Sequence, residues 1–162
     1  MSRILAAATL LLATTAGLAA CTSEPEPEPQ WTEESAYAAA EETFREYWAA
    51  GAKSIDDRAK YLTESMQEVD RAGVQELEEL GVRLRGASVV LSTERVDFRE
   101  VGETTVVELI ACIDGSNVEV QREDGSWSNP RSDTVYQVEA QLEATLETML
   151  LADLTESVED QC

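Results

Sequence analysis

Histidine is absent from this chain of 162 residues, which has only 12 basic residues against 33 acidic ones. Without an imidazole, neither a Ser-His-Asp nor a Cys-His catalytic arrangement nor a histidine-ligated metal site can form. The formal charge of −21 disfavours nucleic acid, whose binding depends on neutralisation of phosphates by Lys and Arg. A Gly-rich phosphate loop is also missing. These absences exclude most secreted hydrolases, and the sequence predicts no catalytic residue, no metal site and no cofactor.

The first 20 residues have the composition of an export signal. A single positive residue, Arg3, precedes a stretch from Ile4 to Leu18 that holds only small or apolar side chains and three threonines. This is the pattern of a signal-peptide h-region. A membrane-spanning helix needs about 20 apolar residues, and this stretch is shorter. We therefore expect residues 1–20 to be cleaved from the mature protein.

The segment Leu18-Ala19-Ala20-Cys21 resembles the lipobox of bacterial lipoprotein precursors. The resemblance implies cleavage before Cys21, lipidation of its thiol with diacylglycerol, and anchoring on the extracytoplasmic face of the cell membrane. Two acyl chains on one residue supply the dual signal that stable anchoring requires. The alternative is an ordinary secreted protein, cut after an Ala-x-Ala-like site, in which Cys21 is a free thiol.

A proline-rich tract follows the cysteine. Three of the four prolines alternate with glutamates in residues 22–30, which contain no apolar side chain. This composition favours extended polyproline II structure, and nine residues at about 3.1 Å each span about 28 Å. We assign residues 21–30 as the lipidated cysteine and a stiff tether, although a processing remnant without spacer function fits equally well. Residues 31–162 are long enough for one domain.

Helical periodicity dominates the first part of that domain. A cap at Thr32 and a stop at Gly51 predict a helix over Trp31–Ala50. Two further helices are predicted to start after Ser54 and Thr63, the last ending at Gly81. Their predicted apolar stripes are Tyr37, Ala40, Phe44, Tyr47 and Trp48 in the first helix, Ile55, Ala59 and Leu62 in the second, and Met66, Val69, Leu77 and Leu80 in the third.

Strand formers dominate after Val82. The predicted strands cover residues 87–98, 104–114, 117–122, 135–142 and 149–158. Residues 140–150 also keep helical spacing, so a helix remains an alternative to strand, turn and strand there. Helices followed by antiparallel strands predict an α+β domain, with the helices packed on one face of a curved sheet.

The element order, the aromatic first helix and Cys112-Ile113-Asp114 at the end of a long strand resemble the cone-shaped nuclear transport factor 2-like superfamily. This superfamily, with a cystatin-like cone, includes ketosteroid isomerase and small actinobacterial lipoproteins. Once Cys21 is lipidated, Cys112 and Cys162 are an even pair in an exported protein, so we expect a disulfide. Similar lipoproteins also place one cysteine in a Cys-x-Asp strand and another at the C-terminus. Two separate thiols are the alternative.

A ketosteroid isomerase-like enzyme would need a carboxylate base and a proton donor in an apolar pocket. Tyr47, Trp48, Tyr61 and Asp97 are the candidates for lining such a pocket, although aromatic residues at helical spacing usually belong to a core. We therefore expect a non-catalytic, membrane-anchored domain that binds a small apolar ligand or another envelope protein. A structural role and an isomerase acting on a small apolar substrate are the alternatives, and the oligomeric state is not encoded in any visible pattern.

Overall fold

The computed structural model describes residues 31–51, 53–131, 134–145, 148–157 and 162. The expected signal peptide, Cys21 and the tether therefore lie outside the described residues. Within the described part, helices on the N-terminal side precede strands that form antiparallel sheets, so the predicted α+β class is confirmed. None of the described helices is long and apolar enough to cross a membrane.

Each helix begins after a hydroxyl residue that was predicted to cap it. The side chains of Thr32, Ser54 and Thr63 each accept a hydrogen bond from a backbone N–H in the first turn, which satisfies one of the free donors there. The helices are α1 (Glu33–Ala50), α2 (Ile55–Ala59) and α3 (Glu64–Glu79). The predicted starts of all three helices and the predicted ends of α1 and α3 are thus confirmed to within two residues, whereas Leu62 of the second predicted stripe lies beyond the end of α2.

The four long strands are β2 (Val89–Val101), β3 (Thr104–Asp114), β6 (Val135–Thr145) and β7 (Thr148–Glu156), and they form one sheet in the order β2-β3-β6-β7. The three short strands are β1 (Leu84–Arg85), β4 (Glu119–Gln121) and β5 (Trp127–Ser128), and they form a second sheet in the order β1-β4-β5. Residues 140–145 belong to β6 and residues 148–150 to β7, so the prediction of strands is confirmed there, whereas the predicted turn at 146–147 lies outside the described residues. Strands β1 and β5 were not predicted, because two residues cannot show an alternating pattern.

The core lies between α1 and one face of the four-stranded sheet. Tyr37, Ala40 and Phe44 of the predicted stripe are buried, whereas Tyr47 and Trp48, near the C-terminal end of α1, are half-buried. The sheet contributes alternate residues, as expected when one face is covered. The largest fully buried side chains are Phe44, Leu62, Val107, Leu109, Ile113, Leu142 and Leu151.

A disulfide joins Cys112 to Cys162, with a Cα–Cα distance of 5.8 Å, so this pairing is confirmed. Cys112 lies between two core residues on β3, and strand alternation therefore places it on the sheet face opposite α1. Since β3 is an inner strand of its sheet, the bond ties the last residue of the chain to the middle of the sheet.

Candidate functional site

Helix α3 is amphipathic but buries none of its residues. From its predicted stripe, Val69 and Leu80 have relative exposures of 62% and 68%, and only Met66 packs against the core. The expectation that the helices pack on the sheet is therefore corrected for most of α3. Three of the four stripe residues, Met66, Val69 and Leu77, line an open cleft instead.

The cleft has a volume of about 1660 Å³. One wall is α3, another is the end of α1 with α2, and a third is the segment 82–88 together with the small sheet. Ligand pockets for small molecules are commonly about 300–1,000 Å³ and mostly apolar, so this cleft has room for a larger ligand. Its large apolar and aromatic lining residues include Tyr47, Trp48, Met66, Leu77, Trp127 and Tyr136.

An ion pair between Arg58 of α2 and Asp70 of α3 lies in the cleft. The guanidinium donates to the carboxylate through Nη2 at 2.8 Å and through Nε at 3.3 Å. Its Nη1 donates to the backbone carbonyls of Gly51 and Lys53 at 2.9 and 3.1 Å. The two side chains are only 11% and 12% exposed. Arg58 therefore connects the end of α1, α2 and α3 at one point.

The cleft differs from the chain in charge. Five basic and three acidic residues line it, a formal charge of +2 in a chain of formal charge −21. Two of the basic residues are paired, Arg58 with Asp70 and Arg131 with Glu156 at 2.6 Å. The latter contact lowers the pKa of Glu156. The charged lining residues are Lys53, Arg58, Arg71, Arg83 and Arg131, and Asp56, Asp70 and Glu78.

Tyr47 and Trp48, which the sequence suggested as pocket residues, do line the cleft. Burial raises the pKa of Tyr47, and the nearby Asp70 carboxylate raises it further, so the phenol stays protonated at neutral pH. The buried Nε1–H of Trp48 has no hydrogen-bond partner among the described residues.

Tyr61 and Asp97 do not belong to this lining. The ring of Tyr61 contacts the ammonium of Lys60 at 4.6 Å. Asp97, on the edge strand β2, accepts a 2.6 Å hydrogen bond from Arg99, which also donates to Glu108 at 2.6 Å. The four candidates therefore do not converge on one site, and Asp97 is part of a cross-strand ion-pair network.

Arg58 and Asp70 were not predicted as a pair, because they are 12 positions apart in the sequence and no local spacing relates them. One signal was available: half of the 12 basic residues fall between Lys53 and Arg85, the region that builds most of the cleft. Within the described ranges, no group of three or more Asp, Glu or Cys side chains is arranged to hold a metal ion.

No protein-family model matches the chain, and no curated protein matches it in sequence. Among solved structures, it is similar to the intermembrane space region of the chloroplast protein ARC6, with a TM-score of 0.52 and 11% identity over 79% of this chain and 98% of that one. A designed β-sheet protein gives a TM-score of 0.26 at 14% identity over 78% of this chain and 86% of that one, too low to support an argument. The first similarity concerns the fold alone.

Proposed function

We propose that this chain is a lipid-anchored, extracytoplasmic protein whose domain binds an apolar ligand in the cleft without transforming it. The lipobox ending at Cys21 supports the anchor and the export. We also propose that the domain is a nuclear transport factor 2-like cone, since helices cover one face of a sheet and a cavity opens beside them. The observation that carries the binding proposal is the uncovered apolar stripe of α3 along that cavity.

An uncovered stripe of this kind needs an explanation, because exposed apolar patches on soluble proteins commonly mark binding surfaces. Met66 is packed, but Val69, which lines the cleft, remains mostly exposed. Leu80 is also exposed but lies outside the lining. An apolar ligand between α3 and the aromatic residues opposite would remove this surface from water, at about 25 cal/mol for each Å² buried.

The ketosteroid isomerase-like alternative is less well supported. Tyr47 is a protonated phenol near the Asp70 carboxylate, which resembles the donor and base that such an enzyme needs. The carboxylate, however, accepts hydrogen bonds from two nitrogens of Arg58, and these occupy acceptor positions that a substrate proton would need. Asp97, the other candidate base, does not line the cleft. Binding without catalysis is therefore the function that we infer.

Gly73 offers a direct test of ligand binding. It lines the cleft, and a Cβ built on it meets no atom within 4 Å. Gly73→Leu should therefore fill part of the cleft while improving the helix propensity of α3. Ala72→Leu is the matched control, because Ala72 is exposed and lies outside the lining. Native mass spectrometry of the full chain, purified from its own host's membranes in neutral detergent, would measure retained ligand.

The wild-type chain and Ala72→Leu should retain a small apolar molecule that Gly73→Leu releases. Equal retention by all three would place the ligand elsewhere, and no retained molecule would count against a binding function. A polypeptide released by Gly73→Leu would instead identify an envelope protein as the ligand. Recovery of a chemically altered product after incubation with the identified molecule would favour the isomerase.

The anchor is tested separately. Cys21→Ser should move the protein from the membrane fraction to the soluble fraction, because the substitution removes the thiol that would carry diacylglycerol. Persistent membrane association of this variant after a high-salt wash would contradict lipidation as the anchor.

A further inference from the structure

The charge of the cleft identifies the chemical class of its ligand. At physiological ionic strength, charges are screened over about 8 Å, so a bound ligand responds mainly to the lining and little to the acidic surface farther away. When Glu156, which pairs with Arg131 at 2.6 Å, is included, the five basic and four acidic residues of the lining have a formal charge of +1. A ligand with a negative group is therefore favoured at this site, although the chain as a whole repels anions.

Three cations on the cleft are free to contact such a group. Lys53, Arg71 and Arg83 are exposed, and no ion pair joins their side chains to another residue in the described part of the chain. Arg58, in contrast, is neutralised by Asp70 and held below the surface. Asp56 and Glu78 of the lining are also exposed and form no ion pair in the described part of the chain. The charges that remain unpaired at the solvent-facing rim are therefore three positive and two negative.

The polar groups of the lining favour an acyl chain over a peptide. Asn129 uses its amide N–H groups on the backbone carbonyls of Gly115 and Ser116, and the hydroxyl of Ser54 caps α2 and donates to Asp57. A bound peptide would bring backbone donors and acceptors that need partners in an apolar site, and each one left without a partner costs free energy. Hydrocarbon chains have no such requirement.

The volume favours a ligand with more than one chain. Small-molecule pockets commonly have volumes of about 300–1,000 Å³, and this cleft is larger, at about 1660 Å³. A single fatty acid would leave much of that space to water against apolar side chains. Two acyl chains would cover more of the stripe on α3, including Val69 and Leu77.

We infer that the ligand is an anionic phospholipid, with its acyl chains between α3 and the small sheet and its phosphate at the rim near Lys53, Arg71 and Arg83. This inference rests on the proposed binding function and specifies its ligand. A lipid anchor at Cys21 would keep the domain close to a supply of such molecules.

The test compares two lipids that differ only in headgroup. The full chain, purified in neutral detergent, is incubated with equal amounts of phosphatidylglycerol and phosphatidylcholine of identical acyl chains, and native mass spectrometry measures the occupancy of each. The rim variant carries Lys53→Gln, Arg71→Gln and Arg83→Gln. The control variant carries Arg45→Gln, Lys60→Gln and Arg122→Gln, which remove three exposed cations outside the cleft and change the net charge equally.

Wild-type chain and control variant should bind phosphatidylglycerol about tenfold more tightly than phosphatidylcholine. Tenfold corresponds to about 1.4 kcal/mol, which three exposed ion pairs can supply together. The rim variant should lose this preference while its binding of phosphatidylcholine changes less than about twofold. Gly73→Leu should weaken both lipids.

Three results would overturn the inference. Equal binding of both lipids by the wild-type chain, blocked by Gly73→Leu, would leave an apolar ligand site but refute headgroup selection. The wild-type chain could bind neither lipid but retain another molecule that Gly73→Leu releases, which would refute the lipid and keep the proposed function. If that molecule is an acidic polypeptide that the rim variant also loses, the cleft would be assigned to a protein partner. Binding of neither lipid and no retained molecule would refute both proposals.

Discussion

Replacing Asp70 by Asn should detach helix α3 without unfolding the domain. The substitution keeps the shape of the side chain and one acceptor oxygen but removes the charge that pairs with Arg58. Breaking a buried ion pair by removing one partner commonly costs about 3–5 kcal/mol. Arg58 retains its bonds to two backbone carbonyls and is 11% exposed, so we expect a smaller loss of about 2 kcal/mol, within the range for hydrogen bonds to charged groups.

This loss should appear in α3 alone, because no residue of that helix is buried. Regions with few buried apolar contacts open locally, at a free energy below that of global unfolding. A free helix of 16 residues is only marginally stable in water, so its amides would exchange once it is released. At 1.36 kcal/mol for each factor of ten, a loss of about 2 kcal/mol corresponds to roughly 30-fold faster exchange in α3.

Hydrogen exchange measured by mass spectrometry of the full chain would check this. Peptides from residues 66–78 should show the increase, and peptides from β3 and β6 should not. Glu68→Gln is the matched control, since Glu68 is an exposed carboxylate on the same helix and should leave exchange unchanged. An increase below about threefold in α3 would refute the role of the ion pair, and an equal increase in the sheet would show that α3 and the core open together.

Three other perturbations have measurable expected results. Replacing Cys112 and Cys162 by Ser should lower the free energy of unfolding in urea by up to about 4 kcal/mol, because the sequence separation is 50; an unchanged value would show that the bond does not limit the unfolded chain. Gly86→Ala should destabilise the domain more than Gly125→Ala, since both have positive φ but only the Cβ at Gly86 overlaps a backbone carbonyl. Equal losses of Tm would rule out the overlap as the cause. The pKa of Glu156 is lowered in the folded state. Its contribution to the free energy of unfolding is therefore complete above the pKa of the unfolded state and is lost as pH falls through the pKa of the folded state. Glu156→Gln should therefore flatten the decline in stability on acidification, and an unchanged acid-denaturation curve would contradict this.

The parts of the fold that the sequence predicted depend on local signals. Thr32, Ser54 and Thr63 cap helices through hydrogen bonds to residues three positions ahead, so their effect is visible in short segments. Strands β2 and β3 share a hairpin whose turn lies between Val101 and Thr104. In the small sheet only β4, which lies within the predicted strand 117–122, had such a signal. Strands β1 and β5 had none, because each has only two residues and β1 pairs with β4 across more than 30 residues.

The prediction for Asp97 shows a different limit. Strand alternation predicts the face of a sheet on which a residue lies only while the register is unbroken. Strand β2 has register shifts between Val90 and Ser92 and between Arg95 and Asp97, and each extra residue reverses the alternation after it. Asp97 therefore comes directly after an irregularity that nothing in the sequence marks, and its side chain joins Arg99 rather than a pocket.

Helix α3 shows why an uncovered apolar stripe can be mistaken for part of a core. Helical periodicity establishes that the helix has an apolar side, but it does not state what covers that side. Gly73 distinguishes an apolar side that the fold covers from one that it leaves uncovered. A glycine within a helix costs about 1 kcal/mol relative to Ala, and at a packed position this cost is commonly explained by a close neighbour. Here a Cβ would meet nothing within 4 Å, so no neighbour in the fold requires the glycine. It instead leaves the cleft open along α3, which the proposed ligand would require.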